Sequence, residues 1–243
     1  MSRAEIPIII TRADPGARET ADRVMALGRR PMVAPMLSLR VLSETSLHDT
    51  DTLSGLVFTS ANGVRTYAKR CASRTLTAWC VGPATAQAAR EMGFAAVQES
   101  AGNAVDLAQF IASRSAPETK PLLHVANTAA AGTLRATLEG LGYKVTFAPI
   151  YEMVPARALP IKVARALAEP GPAIILVHSE KGASAFANVA RHIETSNCVG
   201  VAISDRASAP LEPLKLDAIY TAKSPNEDGL FEALGTALAT LSA

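Results

Sequence analysis

The chain repeats its own pattern, and this self-similarity restricts its fold more than any other feature. Three pairs of segments are similar in sequence and keep the same order along the chain. The pairs are residues 28–39 with 142–153, residues 57–67 with 176–186, and residues 96–107 with 219–230. Their spacings are 114, 119 and 123 residues, a drift that loop insertions would produce. We interpret the chain as two copies of one module.

Each copy alternates short apolar runs with helical patterns. The first run, residues 6–12, is typical of a buried parallel strand, and a helical pattern over residues 17–28 follows it. Further apolar runs that each precede a helical or loop-helix stretch are residues 55–60, 78–82, 95–100, 121–126, 173–179, 199–204 and 217–222. This alternation predicts an α/β fold with two similar domains, each a parallel sheet of four or five strands flanked by helices. The domains would face each other across a cleft, because such sheets bind ligands at the carboxyl ends of their strands.

Two equivalent segments do not fit the alternation of strands and helices. They are residues 35–41 and 149–155. Prolines stand at both ends of the second segment, at Pro149 and Pro155. Proline cannot donate a backbone hydrogen bond, so it suits a crossing point better than the middle of a sheet. We interpret the two segments as paired linkers.

Composition limits the partners that the protein could bind. Of the 243 residues, 49% are hydrophobic, which is enough to fill one large or two small cores. A net charge of +2 is too small to indicate nucleic-acid binding. The three cysteines form no CxxC pair, and no apolar run approaches the ~18 residues of a membrane span. We expect a cytoplasmic protein that binds neither nucleic acid nor membrane.

The sequence lacks motifs for a cofactor, a metal or a covalent mechanism. It has no GxGxxG after the first strand, no P-loop and no GxSxG. The four histidines lack the spacing of a zinc site. His124 and His178 lie in or at the end of predicted buried strands, where we expect structural histidines with satisfied hydrogen bonds. The sequence therefore predicts no cofactor and no metal.

Small and hydroxyl-bearing residues follow the predicted strands. They would let a carboxylate approach the free backbone N–H groups at a helix start, and several such helix starts facing one cleft would bind a polyanion. The candidate substrate-binding residues of this kind are Ser60, Ala61, Asn62, Gly82, Thr85, Asn103 and Ser179. The alternative, which stays open at each position, is that Ser60, Asn62, Thr85 and Asn103 only cap their helices.

Arg12 and Lys181 are the cations best placed to pair with substrate carboxylates. Each comes just after a buried strand, so the strand fixes the backbone position from which its side chain extends. The alternative for either side chain is an ordinary solvated charge. Arg65, Arg206 and Lys223 lie in similar loops and are weaker candidates.

Four segments resemble the uroporphyrinogen-III synthase family. They are ITRADPGA (10–17), VFTSANGVR (57–65), CVGPATAQAA (80–89) and APIYEMVP (148–155). The second and third are similar to the family's FTS-x-N-x-V and VG-x-x-T-A segments, and the fourth is similar to its proline-hydrophobic-tyrosine linker. The resemblance covers essentially the whole chain, and its specificity lies in the combination of motifs.

The resemblance implies two α/β domains joined by a two-stranded β ladder. One domain would comprise residues 1–36 plus 156–243 and the other residues 41–148, with residues 37–40 and 149–155 as the ladder. Residues 203–207 depart from the pattern, because family members commonly carry an IG-x-TT-like loop there. The role of this Ser204–Ala207 loop stays open, and Ser204, Arg206 or Ser208 would have to replace the missing threonines.

The family's activity implies that the chain cyclises the linear tetrapyrrole hydroxymethylbilane to uroporphyrinogen III. Ring D is inverted and water is lost, without a cofactor, and we expect the protein to act as a monomer. Tyr151 is the side chain that we expect to assist water loss, since a phenol can donate a proton to departing hydroxide. The alternative for Tyr151 is a packing residue whose hydroxyl is satisfied by the backbone.

A second hypothesis belongs to another functional class. A two-domain binding protein or regulator for a small anionic ligand would show the same repeat and the same cleft. The family-like segments and Tyr151 favour the enzyme.

Overall fold

The computed structural model describes residues 6–130 and 132–242. The chain divides into two compact units. Unit 1 combines the chain up to Leu39 with the part from Val154 onward, and unit 2 is Arg40–Met153.

Strands and helices alternate along the described residues, as the sequence predicts. The strands are β1 (Pro7–Ile10), β2 (Arg30–Val33), β3 (Leu37–Val41), β4 (Gly55–Phe58), β5 (Ala78–Val81), β6 (Val97–Ser100), β7 (Leu122–Asn127), β8 (Val145–Pro155), β9 (Ala173–Val177), β10 (Cys198–Ala202) and β11 (Ala218–Thr221). The α-helices are α1 (Gly16–Ala26), α2 (Ala61–Arg70), α3 (Gly82–Glu91), α4 (Ala104–Arg114), α5 (Thr133–Gly140), α6 (Ile161–Ala168), α7 (Glu180–Ala190), α8 (Asp205–Ser208) and α9 (Glu227–Ser242). Short 3-10 turns occur at Thr50–Thr52 and Ala209–Leu214.

The two sheets have equivalent strand orders, in which β11, β10, β9, β1 and β2 of unit 1 correspond to β6, β5, β4, β7 and β8 of unit 2. Unit 1 has the order β11-β10-β9-β1-β2, with every neighbouring pair parallel. The sheet of unit 2 has the order β6-β5-β4-β7-β8-β3, and its first five strands are parallel neighbours. The sixth strand, β3, comes from a predicted linker. The prediction of an α/β fold with two similar parallel sheets is confirmed.

Helices cover both faces of each sheet, which explains the continuous apolar runs. In unit 1, Ile8 and Ile10 pack with α1 and α9, whereas Ile9 packs with α6 and α7 on the opposite face. All three isoleucines are fully buried. A strand buried on both faces has no polar side to display, so its sequence shows a run rather than an alternation.

Strands β3 and β8 are neighbours, and each carries the chain from one unit to the other. Pro149, at the start of the second predicted linker, lies within β8, which is one continuous strand, and it lies beside Ala126 of β7. The register between β7 and β8 shifts just after this pair. Proline is tolerated there because an irregular ladder does not require its missing N–H.

No helix in the described part of the chain has the length and apolar character needed to cross a membrane.

Candidate functional site

Three helices begin along one edge of the unit 2 sheet. Strands β4, β5 and β6 are adjacent and parallel, so their carboxyl ends meet at the same edge. Helices α2, α3 and α4 start within a few residues of those ends. This edge therefore presents three sets of helix N-terminal N–H groups, which favour an anion.

Ser60 and Tyr151 meet at this edge. Ser60 Oγ accepts a hydrogen bond from the Gly63 N–H at 3.1 Å, and it lies 2.6 Å from the Tyr151 hydroxyl. Tyr151 lies in β8 beside Asn127, and its backbone carbonyl accepts from the Thr128 N–H at 3.0 Å. The Tyr151 hydroxyl is thus paired with a side chain rather than with the backbone.

Burial decides the protonation of Tyr151. Its side chain packs in the apolar cluster of α2 and α3, and the residue is 4% exposed. Burial raises the pKa of Tyr151 above its ordinary value of 10.0, and the hydrogen bond with Ser60 offsets only part of that rise. The phenol therefore keeps its proton at neutral pH.

The other predicted residues of unit 2 differ in role. Ser60 and Asn103 are N-caps, and Asn103 forms a capping box with Asp106. The capping alternative is wrong for Asn62 and Thr85, because both lie inside their helices, and Thr85 is buried. The remaining two, Ala61 and Gly82, are the first residues of α2 and α3, and Gly82 has the left-handed φ of +68° that favours glycine.

In unit 1, Ser179 repeats the geometry of Ser60. Its Oγ accepts from the Gly182 N–H at 3.1 Å and caps α7. A shallow pocket of about 380 Å³ lies beside this cap, lined by Leu37, Ser179, Glu180, Lys181, Ser204, Arg206 and Ala207. Lys181 is exposed, so it is free to meet an anion. Ser204 caps α8, and Arg206 Nε donates to Glu180 at 2.6 Å.

Arg12 has a partner that sequence reasoning missed. Its Nη1 donates to Glu227 Oε2 at 3.1 Å, and Thr20 Oγ1 donates to Glu227 Oε1 at 2.7 Å. His178 Nε2 lies 3.4 Å from Glu227 Oε2. Glu227 is 215 residues from Arg12 along the chain, and no local signal links them. The carboxyl edge of unit 1 thus carries a charged network.

The expectation of satisfied histidines is wrong for His124. It lies in the middle of β7 and is 2% exposed, and neither ring nitrogen has a hydrogen-bond partner among the described residues. Burial lowers the pKa of His124 from 6.5 to about 4. The ring is therefore neutral at physiological pH, and it packs near the Phe147 ring. His178, by contrast, is partnered at Nε2, although its Nδ1 has no partner in the part of the chain that the structure describes.

Possible metal ligands and cysteines form no centre in the described residues. No three His, Cys, Asp or Glu side chains there come together as a metal-binding group. Cys71, Cys80 and Cys198 are all free thiols.

Comparisons with known proteins place this geometry in context. The family model for uroporphyrinogen-III synthase HemD matches residues 18–232. This range includes Ser60, Asn103, Tyr151 and Ser179, together with the α9 acid Glu227. No protein among the curated ones matches the chain significantly.

Solved structures share the fold. Uroporphyrinogen-III synthetase from Helicobacter pylori is similar with a TM-score of 0.66 and 17% identity, over 96% of this chain and 99% of that one. A mutant uroporphyrinogen III synthase from the extremely thermophilic bacterium Thermus thermophilus is similar with a TM-score of 0.52 and 13% identity, over 97% and 99%. At these identities the likeness shows the fold and leaves the residue roles open.

Proposed function

Because the chain belongs to the uroporphyrinogen-III synthase family, we propose that it cyclises hydroxymethylbilane to uroporphyrinogen III, with inversion of ring D and loss of water. The observation that carries this function is the family match over residues 18–232, which includes every strand of both sheets except β1. The family acts on a small tetrapyrrole, so the substrate class follows from membership. No observation favours the alternative of a binding protein or regulator.

The reaction that the family resemblance implies needs little covalent help from the protein. The C–O bond of the hydroxymethyl group breaks, and the hydroxide leaves as water after taking one proton. The resulting azafulvenium-like carbon is attacked by the substituted carbon of the terminal pyrrole, which gives a spiro intermediate. That intermediate fragments and recloses with ring D inverted, and the terminal pyrrole then loses one proton as it becomes aromatic again, which balances the proton taken by the hydroxide. The protein must therefore hold a flexible octacarboxylate in one reactive shape and help the hydroxide to leave.

Backbone N–H groups at helix starts are the proposed carboxylate receptors. In unit 2 these are the starts of α2, α3 and α4, near Ser60 to Asn62, Gly82 to Thr85, and Asn103. In unit 1 the start of α7 at Ser179 and the cations Lys181 and Arg12 have the same task. Three helix N-termini share one sheet edge in unit 2, and each supplies a partial positive charge without a mobile side chain.

Tyr151 is the proposed donor for the departing hydroxide. Its hydroxyl lies 2.6 Å from Ser60 Oγ at the edge where α2 begins. Its raised pKa keeps it in the protonated form that a donor requires. The same raised pKa makes it a weak acid, so we assign it hydrogen bonding to the leaving hydroxide while the pyrrole nitrogen supplies the electrons that expel it.

The location, oligomeric state and partners of the protein are part of the same proposal. We propose that it acts as a cytoplasmic monomer and needs neither cofactor nor nucleic acid nor membrane. The support is its net charge of +2 and its three free cysteines, which suit a reducing compartment.

The decisive experiment supplies freshly prepared hydroxymethylbilane and separates the product isomers after oxidation to porphyrins. Without protein the bilane closes spontaneously to the un-inverted isomer I. We expect isomer III in proportion to the amount of protein added. Isomer I alone, at the rate of the protein-free control, would overturn the proposed function.

A further inference from the structure

A pocket of about 460 Å³ lies in unit 1 between the starts of α1 and α9. Its lining residues are Arg12, Glu19, Arg23, His178, Ile203, Asn226 and Glu227. The pocket adjoins the carboxyl ends of β1 and β9, since Arg12 and His178 follow those strands closely. It is therefore placed where parallel sheets of this kind bind their ligands.

Glu227 is the centre of the polar contacts at this pocket. It is the first residue of α9, and it accepts hydrogen bonds from Arg12 and from Thr20. Partial burial by itself would raise the pKa of Glu227, but the hydrogen bonds with His178 and Thr20 and the charges of His178 and Arg12 outweigh burial and hold the pKa at about 2. Glu227 is therefore a carboxylate over the whole neutral range.

Arg12 lies across the first turn of α1, where Gly16 has no side chain and so leaves room for it. A Cβ at Gly16 would overlap Nε and Cζ of the Arg12 guanidinium. Only Nη1 of Arg12 is engaged by Glu227, and the side chain is 37% exposed. A guanidinium has five N–H donors, so most of them stay available to a second carboxylate.

The second arginine of the pocket is held differently. Arg23 Nη2 donates to Asp228 at 2.9 Å, and its guanidinium stacks 4.1 Å from the centroid of the Phe231 ring. Stacking and pairing fix both the plane and one edge of this group. Arg12 has no such ring beneath it among the described residues, and its orientation depends on Glu227.

We propose that Glu227 positions the Arg12 guanidinium to bind one carboxylate of the tetrapyrrole in this pocket, an inference that rests on the proposed function. Glu227 acts here as a positioning residue, because it holds Arg12 and does not itself bind the substrate. Thr20 and His178 in turn hold Glu227. An ion pair with one edge of a guanidinium leaves the other edge oriented toward an anion.

The test compares three variants that disturb Arg12 by different routes. Arg12→Ala removes the guanidinium, Gly16→Ala displaces it by steric overlap without changing any charge, and Glu227→Gln removes its ionic partner but keeps a hydrogen-bonding side chain. We expect each to raise the KM for hydroxymethylbilane by about tenfold while kcat changes less than twofold. Arg18→Ala, an exposed cation on the same helix, is the matched control and should leave KM unchanged.

A double-variant comparison separates positioning from a general loss of structure. If Glu227 acts through Arg12, adding Glu227→Gln to Arg12→Ala should raise KM by less than twofold beyond Arg12→Ala alone. Thermal unfolding of each variant identifies any that is not folded, and Gly16→Ala is the mildest of the three because only the end of a flexible side chain must move.

Two results would overturn the inference. One is an unchanged KM in both Gly16→Ala and Glu227→Gln while Arg12→Ala raises it, and the other is an unchanged KM in all three. In either case isomer III from the wild-type protein would leave the proposed function standing. A wild-type protein that forms only isomer I would remove the function itself.

Discussion

The two units share a backbone plan but use different chemistry at the same edge of the sheet. Their strand orders match, and Ser60 and Ser179 cap equivalent helices with the same 3.1 Å bond to a glycine N–H. In unit 2 the pair at this edge, Ser60 and Tyr151, is uncharged. In unit 1 the edge is ionic and centres on the Arg12–Glu227 pair.

The difference between the side chains at the two sheet edges arises at a few positions of the repeat. At a spacing of 119 residues His178 corresponds to Thr59, and at a spacing of 123 residues Glu227 corresponds to Ala104. Both positions lie next to a helix start, where the backbone of the two units is alike. A duplicated scaffold can therefore keep its helix N-termini while single side chains give one unit hydrogen-bonding groups and the other unit charges.

The largest effect that we expect tests the Ser60–Tyr151 pair of unit 2. Tyr151→Phe removes the proposed hydrogen-bond donor to the leaving hydroxide and should lower kcat for uroporphyrinogen III formation by about a hundredfold, at the low end of what one preorganised hydrogen-bond donor contributes. KM for hydroxymethylbilane should change little, because the phenol assists departure of the hydroxide rather than binding. Steady-state kinetics with isomer analysis measures both.

Tyr143→Phe is the matched control for this variant. Tyr143 is also nearly buried and donates to the Ser115 carbonyl, but it precedes β8 at the opposite end of the strand from Tyr151. It should keep the wild-type kcat. Equal rates for Tyr151→Phe and the wild type would remove Tyr151 from the mechanism.

A smaller effect should come from His124, the buried histidine of unit 2. The unfolded chain protonates His124 near pH 6.5 and the folded chain near pH 4, so the unfolded state binds more protons between these values. Stability at this site should therefore fall as pH falls, by about 2 kcal/mol between pH 7 and pH 5. His124→Leu should lack this loss. Urea unfolding followed by the fluorescence of Trp79, the single tryptophan, reports on unit 2.

His48→Gln, at an exposed histidine of the same unit, serves as the control and should keep the wild-type pH dependence. Parallel stability curves for His124→Leu and the wild type over this pH range would show that the buried ring is not protonated preferentially in the unfolded state.

The smallest effect compares the two equivalent caps. Ser179→Ala should cost about 1 kcal/mol of stability, the usual value of an N-cap. Ser60→Ala should cost about 1 kcal/mol more, because it also leaves the buried Tyr151 hydroxyl without its partner. Denaturant unfolding monitored by circular dichroism, with Trp79 fluorescence for unit 2, measures both. In a Tyr151→Phe background the two costs should become equal, and a persistent difference would contradict this account.

Much of the fold could be predicted because its causes are local. Apolar runs such as Ile8 to Ile10 identify buried strands, and Ser60 and Asn103 cap helices through N–H groups two or three residues away. The prediction went wrong where a residue's surroundings come from distant strands. His124 is enclosed by β4 and β8 on either side, which no local pattern reveals.

The sequence by itself determined the α/β class, the duplicated module and membership of the family, since periodicity, capping residues and motif order all act over short stretches of chain. Only the tertiary structure decided which side chains meet. Tyr151 reaches Ser60 across 91 residues, and Arg12 reaches Glu227 across 215. Such pairs depend on strand order and on the exit points of strands, and these are set by how whole sheets assemble rather than by neighbours in sequence.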